Sequence, residues 1–256
     1  MERGSRGCLH PRTLTGPAHL DSLPVVATPP RTARWTRAEY DRLVERGILQ
    51  EDEPVELIAG QILLKGRYPV VERGWTRAEY DRLVSGSLLP ERGPVELVGG
   101  ALVCAEPQGS RHATAVDLAA DALRLAFGAG WLIRTEKPLA LGDESEPEPD
   151  LAVVAGARRD YRDAHPTTAA LVVEVAESSL DADRAHKGSL YARAGLPEYW
   201  IINLVDHVVE VYRGVEPDAA AALGWRYRDP EVLGPSGAVS PLAAPAARVA
   251  IADLLP

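Results

Sequence analysis

The sequence predicts a mixed α/β fold, a β-sheet flanked by helices and preceded by a duplicated helix–strand element. Three observations predict it. Continuous apolar runs of strand length occur at 150–154 and 170–176, the pattern of strands covered on both faces. Apolar residues at helical spacing fill 110–127 and 181–194. An ungapped repeat with a 40-residue offset occupies the first hundred residues.

Taken in order, residues 1–33 are rich in Pro, Gly, Thr and Arg without periodicity and are expected to form a disordered leader. The repeat follows. The ten residues from Trp35 to Val44 recur letter for letter from Trp75 to Val84, Pro54-Val55-Glu56-Leu57 recurs as Pro94-Val95-Glu96-Leu97, and Gly60 recurs as Gly100. In each copy a Thr stands three residues before a Glu, the capping-box signature of a helix start. A short helix, a strand, a glycine turn and a returning strand are predicted after each. Two copies are too few for a solenoid. The first is read as a duplicated unit over 34–73 and the second as the start of the main domain over 74–256; a pseudo-symmetric pair of the two is the alternative. The helix at 110–127 is stopped by Gly128 and Gly130. A strand is expected at 131–141, an acidic loop at 142–149, a strand at 150–154, a polar loop at 158–168 and a central strand at 170–176. A helix at 181–194, a hairpin from 198–203 and 208–212, and short strands near 225–227 and 248–251 complete the chain.

The 256 residues, 46% hydrophobic, suffice for one sizeable core with an appendage. No apolar run approaches the ~20 residues that span a bilayer, and no signal-peptide core follows Met1, so no membrane partner is expected. Cys8 and Cys104 are the cysteines, too few for a disulfide framework, which fits a reducing, cytoplasmic setting. The net charge of −9 excludes a protein that coats nucleic acid by charge alone. Residues 1–100 balance 14 Lys and Arg against 14 Asp and Glu, so 101–256 carry the whole excess. An acidic metal site tolerates that balance because the ion brings its own charge.

Asp150 opens one apolar strand and Glu174 lies inside the next. An unpaired buried carboxylate costs several kcal/mol, so a cation must compensate it. On the following helix Asp183, Lys187, Leu190, Tyr191 and Ala194 share one stripe, charged at the end nearest Glu174. Lys187, one of three lysines among 28 Lys and Arg, is therefore expected to face Glu174. A structural Glu174–Lys187 ion pair and a local Asp183–Lys187 pair are the alternatives to a reactive site. His112 reads as a packing residue at a helix start, with contact to a metal site or phosphate as the second reading. The arginines of 158–162 read as a solvated loop, and Tyr199 and Trp200 as core.

In this order the residues resemble a known family. Val95-Glu96-Leu97 with its glycine turn, His112 entering a helix, Glu148-Pro149-Asp150, Leu171-Val172-Val173-Glu174-Val175, Asp183 with Lys187 and Tyr191, and the run from Gly195 to Trp200 are similar to the Uma-type restriction-endonuclease family, a domain of unknown function within the PD-(D/E)XK nuclease superfamily. The resemblance runs from Trp75 to Tyr212. It implies a restriction-endonuclease-like core and a metal-dependent endonuclease that hydrolyses phosphodiester bonds of DNA. A catalytically inactive nuclease-fold module that binds nucleic acid or protein is the alternative. It further implies that Asp150 and Glu174 bind Mg²⁺ or Mn²⁺, that Lys187 helps activate water, and that Glu96 matches a further acidic ligand. His112, Asp183 and Tyr191 are accessory candidates, and a homodimer is compatible with the reading. The superfamily lysine lies two residues after the Glu, where this chain has Ala176; Lys187 on the helix takes its place.

Overall fold

Both copies of the repeat fold as their capping boxes dictate. The computed structural model describes residues 31–50, 52–67, 69–90, 93–105 and 108–256. Helix α1 (Arg37–Glu45) is capped by Thr36, whose side chain accepts from Glu39 N–H while the Glu39 carboxylate reaches back to Thr36 N–H. Helix α2 (Arg77–Ser85) repeats this with Thr76 and Glu79. Each helix leads to an antiparallel hairpin: β1 (Val55–Ile58) with β2 (Gln61–Leu64), and β3 (Val95–Val98) with β4 (Ala101–Cys104). The two copies close over one shared core of Trp35, Leu43, Ile62, Trp75, Leu83, Leu97 and Leu102, with the tryptophan rings 5.5 Å apart. Buried Arg73 ties the copies together, binding Glu53 at 2.6 Å and Glu79 at 2.5 Å while lying over the Trp75 ring.

Period-two alternation gives the β3–β4 hairpin two occupations. Val95, Leu97 and Leu102 point into the repeat core, whereas Val98 packs against the larger domain behind it. Gly99 turns the hairpin with φ +56°, and an added Cβ would lie 2.8 Å from Leu223 Cδ2. The first copy has Ala59 at the same place in its turn, with φ +49°.

Most of the leader expected over 1–33, and Cys8 with it, lies outside the described residues. Residues 31–33 correct that boundary. Ala33 N–H donates to Leu102 O, Cys104 N–H donates to Arg31 O, and Thr32 forms a β-bridge to Val103, so this segment runs paired along β4.

The main sheet has six strands in the order β12-β9-β8-β7-β6-β5. These are β5 (Trp131–Thr135), β6 (Leu151–Ala155), β7 (Leu171–Ala176), β8 (Glu198–Asn203), β9 (Val208–Arg213) and β12 (Glu231–Leu233). Only the β7–β8 pair is parallel, as its helical crossover requires. Helix α3 (Ser110–Phe127) covers one face through Ala115, Ala119 and Leu123 against Leu151, Val173 and Trp200. The crossover covers the other through Leu190 and Tyr191 against Ala152, Val172 and Tyr199. Short pairs β10 (Val215–Pro217) with β11 (Trp225–Tyr227) and β13 (Ala238–Val239) with β14 (Val249–Ala250) pack around this centre. The result is the mixed sheet flanked by helices that the sequence predicts. Among the described residues no helix is long and apolar enough to cross a membrane.

Two expectations change in detail. The strand begun at Trp131 ends at Thr135 instead of continuing to 141, because Glu136 takes φ +49° and Pro138 follows. Leu139 and Leu141 stay buried by bonding back to Pro147 O and Ser145 O, so the acidic loop folds inward and buries Glu146. The crossover helix contains a π-helical turn, Asp183–Lys187, between α4 (Leu180–Ala182) and α5 (Gly188–Arg193). The extra residue turns Ala194 to solvent, while Ala192 joins the core instead.

Candidate functional site

The register of β6 against β7 creates the site. These strands are antiparallel, with Leu151 opposite Val173, so the residue entering β6 lies beside the residues leaving β7. The pairing stops there. Val175 N–H, without a strand partner on that side, donates instead to Asp150 Oδ2 at 2.7 Å. Asp150 N–H approaches Glu174 Oε2 at 3.5 Å. Two carboxylates are thereby held side by side in the floor of a cleft of about 430 Å³.

The crossover supplies the cation. Lys187 Nζ lies 3.0 Å from Glu174 Oε1 and 3.9 Å from Glu96 Oε2. Its side chain keeps 22% of its surface exposed, while that of Glu174 keeps 3%. The π turn runs from Asp183 to Lys187, so both site residues of this helix sit on its irregular segment, a feature frequent at functional sites. Asp183 does not make the local ion pair with Lys187; its Oδ2 accepts from the Ser179 hydroxyl at 2.5 Å. Ala176, at the superfamily lysine position, is fully buried among Val172, Leu190 and Tyr199 on the crossover side of the sheet, so the ammonium arrives from the helix.

The surrounding groups hold this pair in place. The Tyr191 hydroxyl donates to Glu174 Oε1 at 2.6 Å. His112, on the first turn of α3, places Nε2 3.2 Å from Asp150 Oδ2, while its buried Nδ1 has no hydrogen-bond partner. Glu96 reaches the cleft from β3, on the strand face opposite Val95 and Leu97, and its Oε2 accepts from Glu148 N–H at 3.3 Å. Asp150, Glu174, Lys187, Glu96, His112, Asp183 and Tyr191 therefore all meet at one place, and the cleft wall includes all of them except Tyr191. Sequence reasoning missed Glu148 and Ser179 as members. Glu148 stands beside the Pro149–Asp150 pair, and Ser179 lies four residues before Asp183, a spacing that could have found it.

Burial and mutual repulsion dominate the electrostatics. Burial pushes the Glu174 carboxyl well above its ordinary value; Lys187 opposes the shift and Asp150 adds to it. Asp183 is pushed up to about 6 by burial, against the pull of Lys187. Glu148 is raised by burial and by the nearby Glu96 charge. Burial alone would lower Lys187, but Glu174, Glu96, Asp183 and Asp150 together hold it well above the ordinary lysine range. The surrounding carboxylates therefore favour the ammonium form of Lys187 in this arrangement. His112 is held above its ordinary value because its bond to Asp150 outweighs the opposing effect of burial.

Among the described residues no three acidic, histidine or cysteine side chains form a ready-made ion cage. The donor set nonetheless suits a hard divalent cation. Mg²⁺ keeps much of its water and commonly uses one or two protein carboxylates. Asp150 spends Oδ2 on Val175 and His112, which leaves Oδ1, and Glu174 spends Oε1 on Tyr191 and Lys187, which leaves Oε2 with one long contact. A second cation would also relieve the crowding of Glu96, Glu148, Asp150, Glu174 and Asp183 around a single ammonium.

A family model described as "Uma2: Putative restriction endonuclease" matches residues 77–251. Among solved structures, the chain is similar to one described as a "putative nuclease belonging to DUF820" from Anabaena variabilis ATCC 29413, with a TM-score of 0.50 and 19% identity over 67% of this chain and 96% of that one. At that identity the likeness is one of fold. No curated protein matches the chain.

Proposed function

The chain belongs to the Uma2 family, and from that premise we propose that it is a metal-dependent endonuclease hydrolysing phosphodiester bonds of DNA. The observation that carries the reading is the juxtaposition of the Asp150 and Glu174 carboxylates with the Lys187 ammonium on the wall of one open cleft. In this reading Asp150 and Glu174 hold Mg²⁺ or Mn²⁺, with Glu96 as a further acidic ligand. The ion, when bound, acidifies a water and offsets charge on the scissile phosphate.

The remaining work falls to the protein. Lys187, as an ammonium, opposes the negative charge that develops on the phosphate, the task of a preorganised cation. Tyr191 and His112 act as positioning residues, the first fixing Glu174 and the second fixing Asp150. Glu148 anchors Glu96 through its backbone N–H.

The test is cleavage of plasmid and single-stranded substrates with Mg²⁺ or Mn²⁺ against EDTA, paired with thermal unfolding. Wild type should cut only with metal, and Asp150→Ala should lose about a hundredfold or more. Millimolar Mn²⁺ should raise the melting temperature of wild type and not of Asp150→Ala or Glu174→Ala. Lys187→Ala should keep the metal-dependent rise and lose cleavage. Absence of any metal-dependent shift, together with a 3–5 kcal/mol loss in Lys187→Ala, would instead identify a structural ion pair in a non-catalytic module.

A further inference from the structure

Beside the acidic cleft lies a second chamber of about 670 Å³ that the proposed chemistry does not use. Arg31, Glu96, Cys104, Ala105, Gln108 and Glu148 line both spaces, so the two adjoin. Among the described residues that line it, the Lys and Arg side chains are Lys187, Arg31 and Arg34. Lys187 is engaged by carboxylates. Arg31 is exposed, and its guanidinium has no ion-pair or hydrogen-bond partner among the described residues. Its backbone is held, because residues 31–33 pair with β4 through a β-bridge and two backbone hydrogen bonds.

We propose that Arg31, with Arg34 beyond it, is a phosphate-binding subsite for the nucleic-acid strand that enters the Glu96–Asp150–Glu174 cleft. The inference rests on the nuclease reading of that cleft and adds a segment outside the family match, which begins at residue 77. The physical need is plain. A polyanion approaching five crowded carboxylates is repelled, and a single ammonium beside the reacting phosphate does not offset the neighbouring phosphates. A guanidinium presents a fork of donors that matches phosphate oxygens. Carried on a strand-paired backbone, it loses little freedom when it binds. Residues 31–34, which lead into the first copy, thus contribute to substrate positioning as well as to folding.

The experiment measures binding of a fluorescent oligodeoxynucleotide to the full chain in Ca²⁺, across a salt series, beside steady-state cleavage in Mg²⁺. Arg31→Ala/Arg34→Ala should weaken binding about tenfold and flatten the salt dependence by about one to two counterions, roughly 0.7–0.9 in slope for each lost phosphate contact. KM should rise with kcat within about twofold, the signature of lost uniform binding. Arg31→Lys in the presence of Arg34 should keep the salt slope. Arg37→Ala, which removes an exposed pair with Asp41 and a contact over the Tyr40 ring, should match wild type. Wild-type cleavage with unchanged Kd, slope and KM in the double variant would overturn the subsite and leave the nuclease reading standing. Wild-type binding without cleavage, with the same losses in the variant, would keep the subsite and overturn the catalytic reading. A wild type that neither binds nor cuts would overturn both.

Discussion

The two copies of the repeat carry the same ten-residue segment at the helix and the same Pro-Val-Glu-Leu run, yet they end in opposite environments. Thr36 and Thr76 close the same capping box, Leu43 and Leu83 are both fully buried, and Trp35 and Trp75 donate from the same backbone position to Gly60 O and Gly100 O. Glu56, however, faces solvent, while its twin Glu96 is buried beside Lys187. Ile58 is 50% exposed, while Val98 packs on the main sheet. Local sequence therefore decides secondary structure and the shared core, and the neighbour decides chemistry. The same glutamate is a surface residue on one hairpin and a site residue on the other because only the second hairpin meets the crossover helix.

Four measurements break or sharpen this comparison. The largest effect is expected from the shared core. Leu43→Ala and Leu83→Ala should each cost about 2–5 kcal/mol by denaturant unfolding, the range for cavities left by a fully buried leucine. Near-equal losses would show that neither copy folds alone; a loss confined to Leu83→Ala would make the first copy an ornament. The pair Glu56→Gln and Glu96→Gln separates chemistry from folding. Cleavage should fall about a hundredfold in the second and stay at the wild-type rate in the first.

The third test exploits Glu146, whose backbone bridges Leu97 of the second copy. Burial raises its carboxyl from 4.5 to about 7, with Asp81 adding to the shift and Arg77 opposing it. The equivalent of Asp81 in the first copy, Asp41, is instead paired with Arg37. The folded state holds the Glu146 proton more tightly than the unfolded chain does. Its contribution is therefore most favourable below about pH 4.5 and is lost as pH rises through about 7. Glu146→Gln should stabilise at pH 8 by on the order of 2–3 kcal/mol and by much less at pH 5. An equal gain at both pH values would refute the buried-acid account.

The smallest effects concern the turns. Gly99→Ala should destabilise by about 1–2 kcal/mol, since it adds a left-handed alanine and pushes on Leu223. Ala59→Gly should change sign and stabilise by up to about 1 kcal/mol. Swapped signs would mean that the two turns are not equivalent.

Much of this was legible in the sequence. Helix 110–127 has its predicted bounds because Gly128 gives an unambiguous stop. The apolar runs fixed the central strands, and helical spacing placed Lys187 opposite Glu174. Other parts left no local signal. Nothing in the composition around Glu136 announces a left-handed residue, so the strand pattern in the sequence runs past the true end at Thr135. The π turn at Asp183–Lys187 follows no simple periodicity, and it moved Ala194 off the stripe. Residues 31–33 read as leader because their strand partner, β4, lies seventy residues on. Glu148 stands beside Pro149 and Asp150 with no local sign of its role, since its contact with Glu96 depends on how the second hairpin docks.

The repeat also sets a problem of timing. The first copy emerges earlier in synthesis, and domains fold from the N-terminus as they appear. Its helix meets a hairpin of the same architecture as the one intended for its twin, and exchange of like elements between or within chains is the usual failure of such arrays. The letters that differ therefore serve as addresses. A Cβ at the place of Gly99 would lie 2.8 Å from Leu223 Cδ2, so a hairpin that carries Ala59 there fits the sheet less well. A single absent carbon thus helps select which of two equivalent partners completes the molecule, and variants that erase the distinction should refold more slowly and aggregate more before any loss of final stability is seen.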